Sequence, residues 1–202
     1  ASNMPVASQQ KIAAVITDLG GVLVNVDHCN MYARLSRYSS LPAEEIAKHF
    51  DPKVLKGREI GLGTGKLPPH RFYELMCQEL KLKGLSFEAF ERIYSNLFSA
   101  KKDTLKLVRA LSKKYAIAML SNTNGIHYNH WLKVLGKDVN LFKELVLSFQ
   151  VGLRKPDSRI FLEAAKRLEV EPQQCVFIDD VEEYVEAARK VGMLGIKFVS
   201  AK

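Results

Sequence analysis

Cysteine is scarce in this chain. Cys29, Cys77 and Cys175 are an odd number at wide spacing, with no Cys-x-x-Cys pair. No disulfide framework is expected from them, and they read as reduced thiols in a cytoplasmic protein. Long hydrophobic runs are missing too. None approaches the roughly 20 residues that cross a bilayer, so no membrane partner is expected. The N-terminus lacks the apolar core of a signal peptide. Ala1-Ser2-Asn3 before Met4 resembles a remnant of expression, and the polar stretch 1–10 is expected to be loose. Internal repeats and low-complexity tracts are absent as well.

Three further absences narrow the function. The formal net charge is +8, yet no long basic run occurs and no aromatic residues interleave with basic ones to stack on bases. Nucleic acid is therefore not expected as a partner, and a basic surface that attracts phosphorylated small molecules accounts for the charge. His28, His49, His70, His127 and His130 show no metal-ligand spacing with an acid partner, and they read as surface or packing residues. The tract Gly61-Leu62-Gly63-Thr64-Gly65-Lys66 lacks the outer residues of a phosphate loop. Ile60 and Leu67 stand where a glycine and a Ser or Thr are required, so the tract reads as a flexible turn.

What remains is an ordinary soluble composition, 47% hydrophobic and 26% charged over 202 residues. That is enough for one sizeable core, or a core with a small second unit. The organising stretch is Ile12–Leu23. Its apolar, β-branched start reads as a strand buried on both faces, and it ends on Asp18, Gly20 and Gly21. Asp18 alone could merely start a turn. In an open parallel α/β sheet, however, ligands gather beyond the carboxyl ends of strands.

From residue 26 to 100 the pattern is helical. Asp27 suits a helix cap, Leu41-Pro42 and Asp51-Pro52 suit helix starts, and no convincing strand is seen. Stripes at helical spacing include Phe72, Leu75 and Met76, then Phe87, Phe90, Ile93, Tyr94, Leu97 and Phe98. From 101 to 202 strands and helices alternate. Strands are expected at 116–120, 145–149, 175–178 and 195–199, with helices at 104–115, 129–135, 158–168 and 182–191. The expected fold is α/β, a doubly wound parallel sheet formed by 1–25 and 101–202 with an all-helical insertion at 26–100. The chain ends soon after the last strand, so a final covering helix is expected to be missing.

Three later strand ends carry polar clusters. Ser121-Asn122-Thr123-Asn124 offers a hydroxyl, amides and backbone N–H groups to an anion. Arg154-Lys155-Pro156 offers a compact ammonium suited to phosphate charge. Asp179-Asp180 places two carboxylates together, which repel unless a cation or hydrogen bonds hold them. Hard oxygen donors of this kind suit Mg²⁺.

Taken in order, Asp18-Leu19-Gly20-Gly21-Val22, Ser121-Asn122-Thr123-Asn124, Arg154-Lys155-Pro156 and Asp179-Asp180 resemble the four motifs of the haloacid dehalogenase-like hydrolases. The resemblance runs from Ile12 to Val199. It implies a Rossmann-like core with a type 1 helical cap, closest to the branch containing bacterial sugar-1-phosphate phosphatases. It further implies that Asp18 is the nucleophile and forms an aspartyl-phosphate. Ser121 and Asn122 hold phosphoryl oxygens, and Lys155 ties nucleophile to phosphate. Magnesium is held by Asp18, the Gly20 carbonyl and Asp180, with Asp179 beside them. The implied activity is Mg²⁺-dependent hydrolysis of a small phosphorylated metabolite, a sugar phosphate being favoured.

One residue departs from the pattern. Phosphatases of this family usually carry a second Asp two residues after the nucleophile, as general acid and base, and Gly20 stands there. The carbonyl survives but the proton donor does not, a loss of about 10²–10⁴-fold where such a donor acts. The family's dehalogenases also lack that Asp but work without metal, and Asp179-Asp180 argues against their chemistry. The alternative reading is a catalytically weak phosphosugar-binding or regulatory protein of the same fold. Neither the ester nor the oligomeric state is written in the motifs.

Overall fold

A computed structural model describes residues 11–201, so the N-terminal stretch 1–10 lies outside the described residues. The elements in chain order are β1 (Ala14–Thr17), β2 (Val24–Val26), α1 (Cys29–Ser36), α2 (Ala43–His49), α3 (Pro52–Gly63), α4 (Pro69–Glu79) and α5 (Phe87–Ser95). They continue with β3 (Phe98–Ala100), α6 (Lys102–Leu111), β4 (Ala116–Ser121), α7 (Gly125–Leu135), β5 (Glu144–Leu147) and α8 (Ser148–Val151). The last are α9 (Ser158–Arg167), β6 (Cys175–Asp179), α10 (Glu182–Lys190) and β7 (Leu194–Lys197). Short 3₁₀ turns precede β5 and β6.

Five strands form one parallel sheet in the order β5-β4-β1-β6-β7. β1 is central and buried at every position. Its alternation divides the core in two. Ala14 and Ile16 join Ala118, Leu120 and Phe177 under Ile160, Phe161 and Ala164 of α9 and Ala188 of α10. Val15 joins Ile117 and Met119 under Leu105 and Val108 of α6 and Trp131 and Leu135 of α7. A strand covered on both faces must be apolar on both, which is why β1 and β4 read as continuous hydrophobic runs. Strand order turns about β1, and the crevice beyond its carboxyl end is where such sheets bind ligands.

The segment between β1 and β4 supplies a second apolar cluster. Met31 and Leu35 of α1, Ile46 of α2, Phe72 and Met76 of α4 and Phe90 of α5 are all buried in it. Asp27 stands one residue ahead of the N-cap of α1, which is His28, and accepts from the Cys29 N–H (2.9 Å). Asp51 caps α3 through the Lys53 N–H (2.7 Å).

Two expectations need correcting. The insertion is not wholly helical, because β2 and β3 form an antiparallel ribbon with Val24 opposite Ala100 and Val26 opposite Phe98. These are the chain's two crossings into and out of the helical layer. Running side by side, they satisfy each other's backbone groups, and the Asp27 N–H bond to the Leu97 carbonyl extends the pairing. At three residues each, such strands leave no periodicity to read, and Phe98 falls by accident on the stripe of α5. The glycine tract is also only partly a turn. α3 runs through Gly61 and Gly63 because Leu62 is buried, and the turn is confined to the residues that follow.

Gly65 explains the turn's chemistry. Its φ is +72°, and an added Cβ would lie 2.4 Å from the Phe149 carbonyl oxygen. Gly57, mid-helix in α3, has nothing within 4 Å of an added Cβ. The two glycines therefore predict opposite outcomes. In urea titrations Gly57→Ala should gain about 0.5–1 kcal/mol. Gly65→Ala should lose about 2 kcal/mol from backbone strain and collision. Equal midpoints for Gly65→Ala and the parent protein would show that the turn relaxes freely.

Candidate active site

Parallel register assembles the site before any side chain is considered. Thr17 lies opposite Ile178 of β6 and Met119 of β4, so Asp18 emerges level with Asp179 and beside the end of β4. The Asp18 N–H donates to the Ile178 carbonyl (2.9 Å), fixing the nucleophile candidate to its neighbouring strand.

Lys155 arrives from the loop after α8. Its Nζ donates to Asp18 Oδ1 (2.8 Å) and Asp179 Oδ2 (2.5 Å). The ammonium is 1% exposed, Asp179 0% and Asp18 8%. Burial works against the charged lysine, but the two carboxylates outweigh it and raise its pKa. Burial pushes the Asp18 carboxyl up to about 6. Lys155 counters that shift and Asp179 adds to it. The Tyr184 and Phe177 rings lie with centroids 5.0 and 5.6 Å from the same ammonium, enclosing it in π faces.

The turn after β4 gives a separate task to each residue. Ser121 is nearly buried, and its hydroxyl has no hydrogen-bond partner among the described residues. Asn122 accepts from the Lys155 N–H (2.8 Å) and donates to the Lys155 carbonyl (3.0 Å), a two-point clamp on that residue's backbone. The Thr123 N–H donates to Ser148 Oγ, which donates back to the Thr123 carbonyl. Asn124 caps α7 by accepting from the Ile126 and His127 N–H groups, so that helix starts four residues earlier than expected. The structure thus brings Asp18, Ser121, Lys155, Asp179 and Asp180 to one crevice. It also engages the Asn122 side-chain amide with the lysine loop.

The donor set suits a hard divalent cation. Asp18, Asp179 and Asp180 each offer a carboxylate oxygen within 4.8 Å of the others, against the single charge of Lys155. Burial, and then Asp179, raise the Asp180 pKa, the mark of carboxylates crowded without full compensation. Asp179 is the most committed, since its Oδ1 accepts from the Val181 N–H (2.9 Å) and its Oδ2 from Lys155. The Gly20 carbonyl accepts no hydrogen bond from the described residues. Gly21 must lack a side chain: its φ is +80°, and a Cβ would lie 2.2 Å from Asp180 Oδ2.

Several contributors were not visible in sequence. Tyr184 lies on α10, and its hydroxyl is 3.4 Å from the Asn122 amide nitrogen. Lys101 donates to the Gly21 carbonyl (2.8 Å), bracing the glycine turn from the far end of the insertion. His127 is half-buried, and desolvation lowers its imidazole pKa to about 3, which keeps it neutral. Its Nε2 lies 3.2 Å from the Tyr94 carbonyl and its Nδ1 3.1 Å from the Asn124 amide nitrogen. Only the recurring polar residues one turn after a strand end could have pointed to His127.

A family model described as haloacid dehalogenase-like hydrolase matches residues 12–192. Phosphatase MT3486 of Mycobacterium tuberculosis (strain CDC 1551 / Oshkosh) is 27% identical over 191 residues, 90% of this chain and 85% of that protein. A glyceraldehyde 3-phosphate phosphatase of Methanopyrus kandleri is 32% identical over 82 residues, 40% of this chain. There the match spans about a third of the relative's length (35%). Among solved structures, a HAD family enzyme of Bacteroides thetaiotaomicron, crystallised with magnesium and inorganic phosphate, superposes with a TM-score of 0.79. It is 25% identical, over 92% of this chain and 93% of that one.

The raised carboxyl of Asp18 gives a signed prediction for protein held in chelator. With a folded pKa near 6 against the usual 3.8, the ionised form costs stability at pH 8. That cost fades as pH falls through 6 and is gone below 3.8. Asp18→Asn should therefore stabilise the fold at pH 8 by on the order of 1–3 kcal/mol and change it little near pH 4. Denaturation midpoints at the two pH values measure this. A pH-independent difference would remove the assigned strain.

Proposed function

The chain belongs to the haloacid dehalogenase-like hydrolase family, and on that premise we propose that it is a magnesium-dependent phosphatase. Its substrate is a small phosphorylated metabolite, and it works through an aspartyl-phosphate on Asp18. The observation that carries this reading is the buried Lys155 ammonium bridging Asp18 and Asp179 within the carboxylate trio. A lysine so placed neutralises a carboxylate that must approach a phosphate dianion.

In the first step an Asp18 carboxylate oxygen attacks phosphorus, and the bond from phosphorus to the ester oxygen breaks. The ester oxygen leaves with the electron pair and takes a proton from water to give the alcohol. In the second step water attacks the phosphorus of the acyl phosphate, releasing inorganic phosphate and restoring Asp18. The free Ser121 hydroxyl and the Lys155 ammonium hold phosphoryl oxygens, a task of positioning and charge more than of covalent chemistry. Asn122 sets Lys155 by its backbone clamp. Asp18, the Gly20 carbonyl and Asp180 would hold the metal, with Asp179 beside them. Bound Mg²⁺ supplies Lewis-acid stabilisation of phosphoryl charge.

Gly20 favours a second reading, a phosphate-ester-binding protein with weak turnover, because no acid stands ready for the leaving oxygen. Phosphate release under saturating ester separates the two. The enzyme reading expects release that needs Mg²⁺, stops in chelator and falls to background in Asp18→Asn. Borohydride trapping should convert Asp18 to homoserine during turnover. Near-normal release by a folded Asp18→Asn protein would sink the mechanism.

Gly20 yields a further prediction. Its φ is ordinary, and an added Cβ would meet only Val26 Cγ2 at 3.3 Å, so a side chain is admissible. Gly20→Asp should raise single-turnover rates most for esters of poor leaving alcohols, by up to roughly 10²-fold. A flat leaving-group dependence in the parent protein, with no gain in folded Gly20→Asp, would mean that another group supplies the proton.

A further inference from the structure

Between the helical layer and α7 lies a chamber of about 300 Å³, at the small end of ligand pockets. Met31, Tyr32, Phe50, Leu55, Tyr94 and Leu97 form its apolar wall. Tyr32 and Phe50 sit 5.5 Å apart by ring centroid, and Phe50 and Tyr94 6.2 Å, so three rings line one continuous side. His127 extends that wall, with its ring stacked on Tyr94 at 4.6 Å. Both His127 nitrogens face partners, the Tyr94 carbonyl and the Asn124 amide, so it presents a neutral ring face rather than a charge.

The chamber borders the site. His127 and Glu59 also line a smaller cavity of about 70 Å³ whose other walls include Asn122, Ser148 and Arg154. Asn122 is the residue that clamps Lys155. A molecule with its phosphate beside Lys155 can therefore extend past Asn122 into the aromatic chamber.

The Tyr94 hydroxyl is among the chamber's polar groups that the described residues leave unbonded. Tyr94 is 5% exposed. The hydroxyl is left to whatever fills the chamber, and a ligand group could bond it. Glu59 and His28 complete the lining. Glu59 disfavours a second anionic group on the ligand, leaving the phosphate as its one negative end.

We propose that the organic part of the substrate is a one- or two-ring aromatic group bearing a single hydrogen-bonding substituent, seated among Tyr32, Phe50 and Tyr94. This rests on the phosphatase reading and narrows it. A polyhydroxylated chain would lose water from several hydroxyls against Met31, Phe50, Leu55 and Leu97 and regain few hydrogen bonds. A planar ring loses nothing of the kind and gains stacking. The substituent meets the Tyr94 hydroxyl.

The test compares primary alkyl phosphates of similar leaving ability, with Mg²⁺ and the intact protein. 2-Phenylethyl phosphate and 2-(4-hydroxyphenyl)ethyl phosphate should exceed glucitol 6-phosphate in kcat/KM by at least about tenfold. Phe50→Ala should erase most of that ratio, chiefly by raising KM for the ring esters far more than for the glucitol ester. Tyr94→Phe, which keeps the ring, should lower kcat/KM for the hydroxyphenyl ester about tenfold and spare the phenyl one. Equal rates on the ring and polyol esters would overturn the proposal, as would variants that act alike on both. Acetyl phosphate, with no group to fill the chamber, reports on the phosphatase reading alone. If it is not hydrolysed, calorimetric binding of the matching phosphonates still decides. Tighter binding of the arylethyl phosphonate supports the chamber assignment, and equal or weaker binding overturns it.

Discussion

Everything at the mouth of the sheet depends on one buried ammonium. Among the described residues Lys155 is the only positive charge bonded to Asp18 and Asp179, and both carboxylates are buried with it. Replacing such a triad by apolar residues could well stabilise the fold, because desolvation of three charges is seldom recovered by their mutual attraction. Its presence is thus better explained by chemistry than by stability. Asp18 is held at a raised pKa, poised between the lysine that favours its charge and the burial and Asp179 that oppose it. A dicationic metal would complete the compensation.

The lysine is held by its backbone rather than by its own rotamer alone. The Asn122 clamp takes both main-chain groups of Lys155, and Asn122 itself stands at the end of β4, the strand beside Asp18. One step along, Thr123 and Ser148 lock the turn to the residue that follows β5. Trp131 Nε1 donates to Thr123 Oγ1 (3.2 Å), joining the turn to the buried face of α7. The sheet register, set by apolar side chains, is so transmitted to the ammonium through neutral hydrogen bonds. Rigid support of this kind is what positions reacting groups.

How much of this was legible follows from which signals are local. The parallel core was readable because β1, β4 and β6 are short apolar runs that end on polar clusters, and burial on both faces leaves that mark. Asp18, Ser121, Lys155 and Asp179-Asp180 were readable as chemistry-bearing types at strand ends. The ribbon of β2 and β3 was not, since its pairing joins residues about 75 positions apart, as Asn25 and Ser99 show (separation 74). Asn122 was readable as a polar residue at a strand end, and its side-chain clamp on the Lys155 backbone was not. Its amide matches Lys155's backbone only because cores on two sides bring the loops together. Tyr184 and His127 carried no motif, and their roles exist only once α10 and α7 have packed.

The helical layer and the sheet are interlocked rather than merely tethered. Ile126 of α7 is buried in the helical cluster, while Trp131 and Leu135 of the same helix belong to the sheet's core. His127, between them, sits against the Tyr94 carbonyl. The ribbon adds main-chain pairing, and Lys101, just past it, reaches back to the Gly21 carbonyl. Any shift of the layer therefore pulls on the glycine turn that separates Asp18 from Asp180. Val26 of the ribbon also stands 3.3 Å from where a Gly20 side chain would begin. The missing acid at position 20 and the packing of the ribbon are thus one structural fact: the space a carboxyl would enter is bordered by the joint on which the helical layer rests. Restoring an acid there changes proton supply and that joint together. Its effect on rate must be read beside the denaturation midpoint of the same variant.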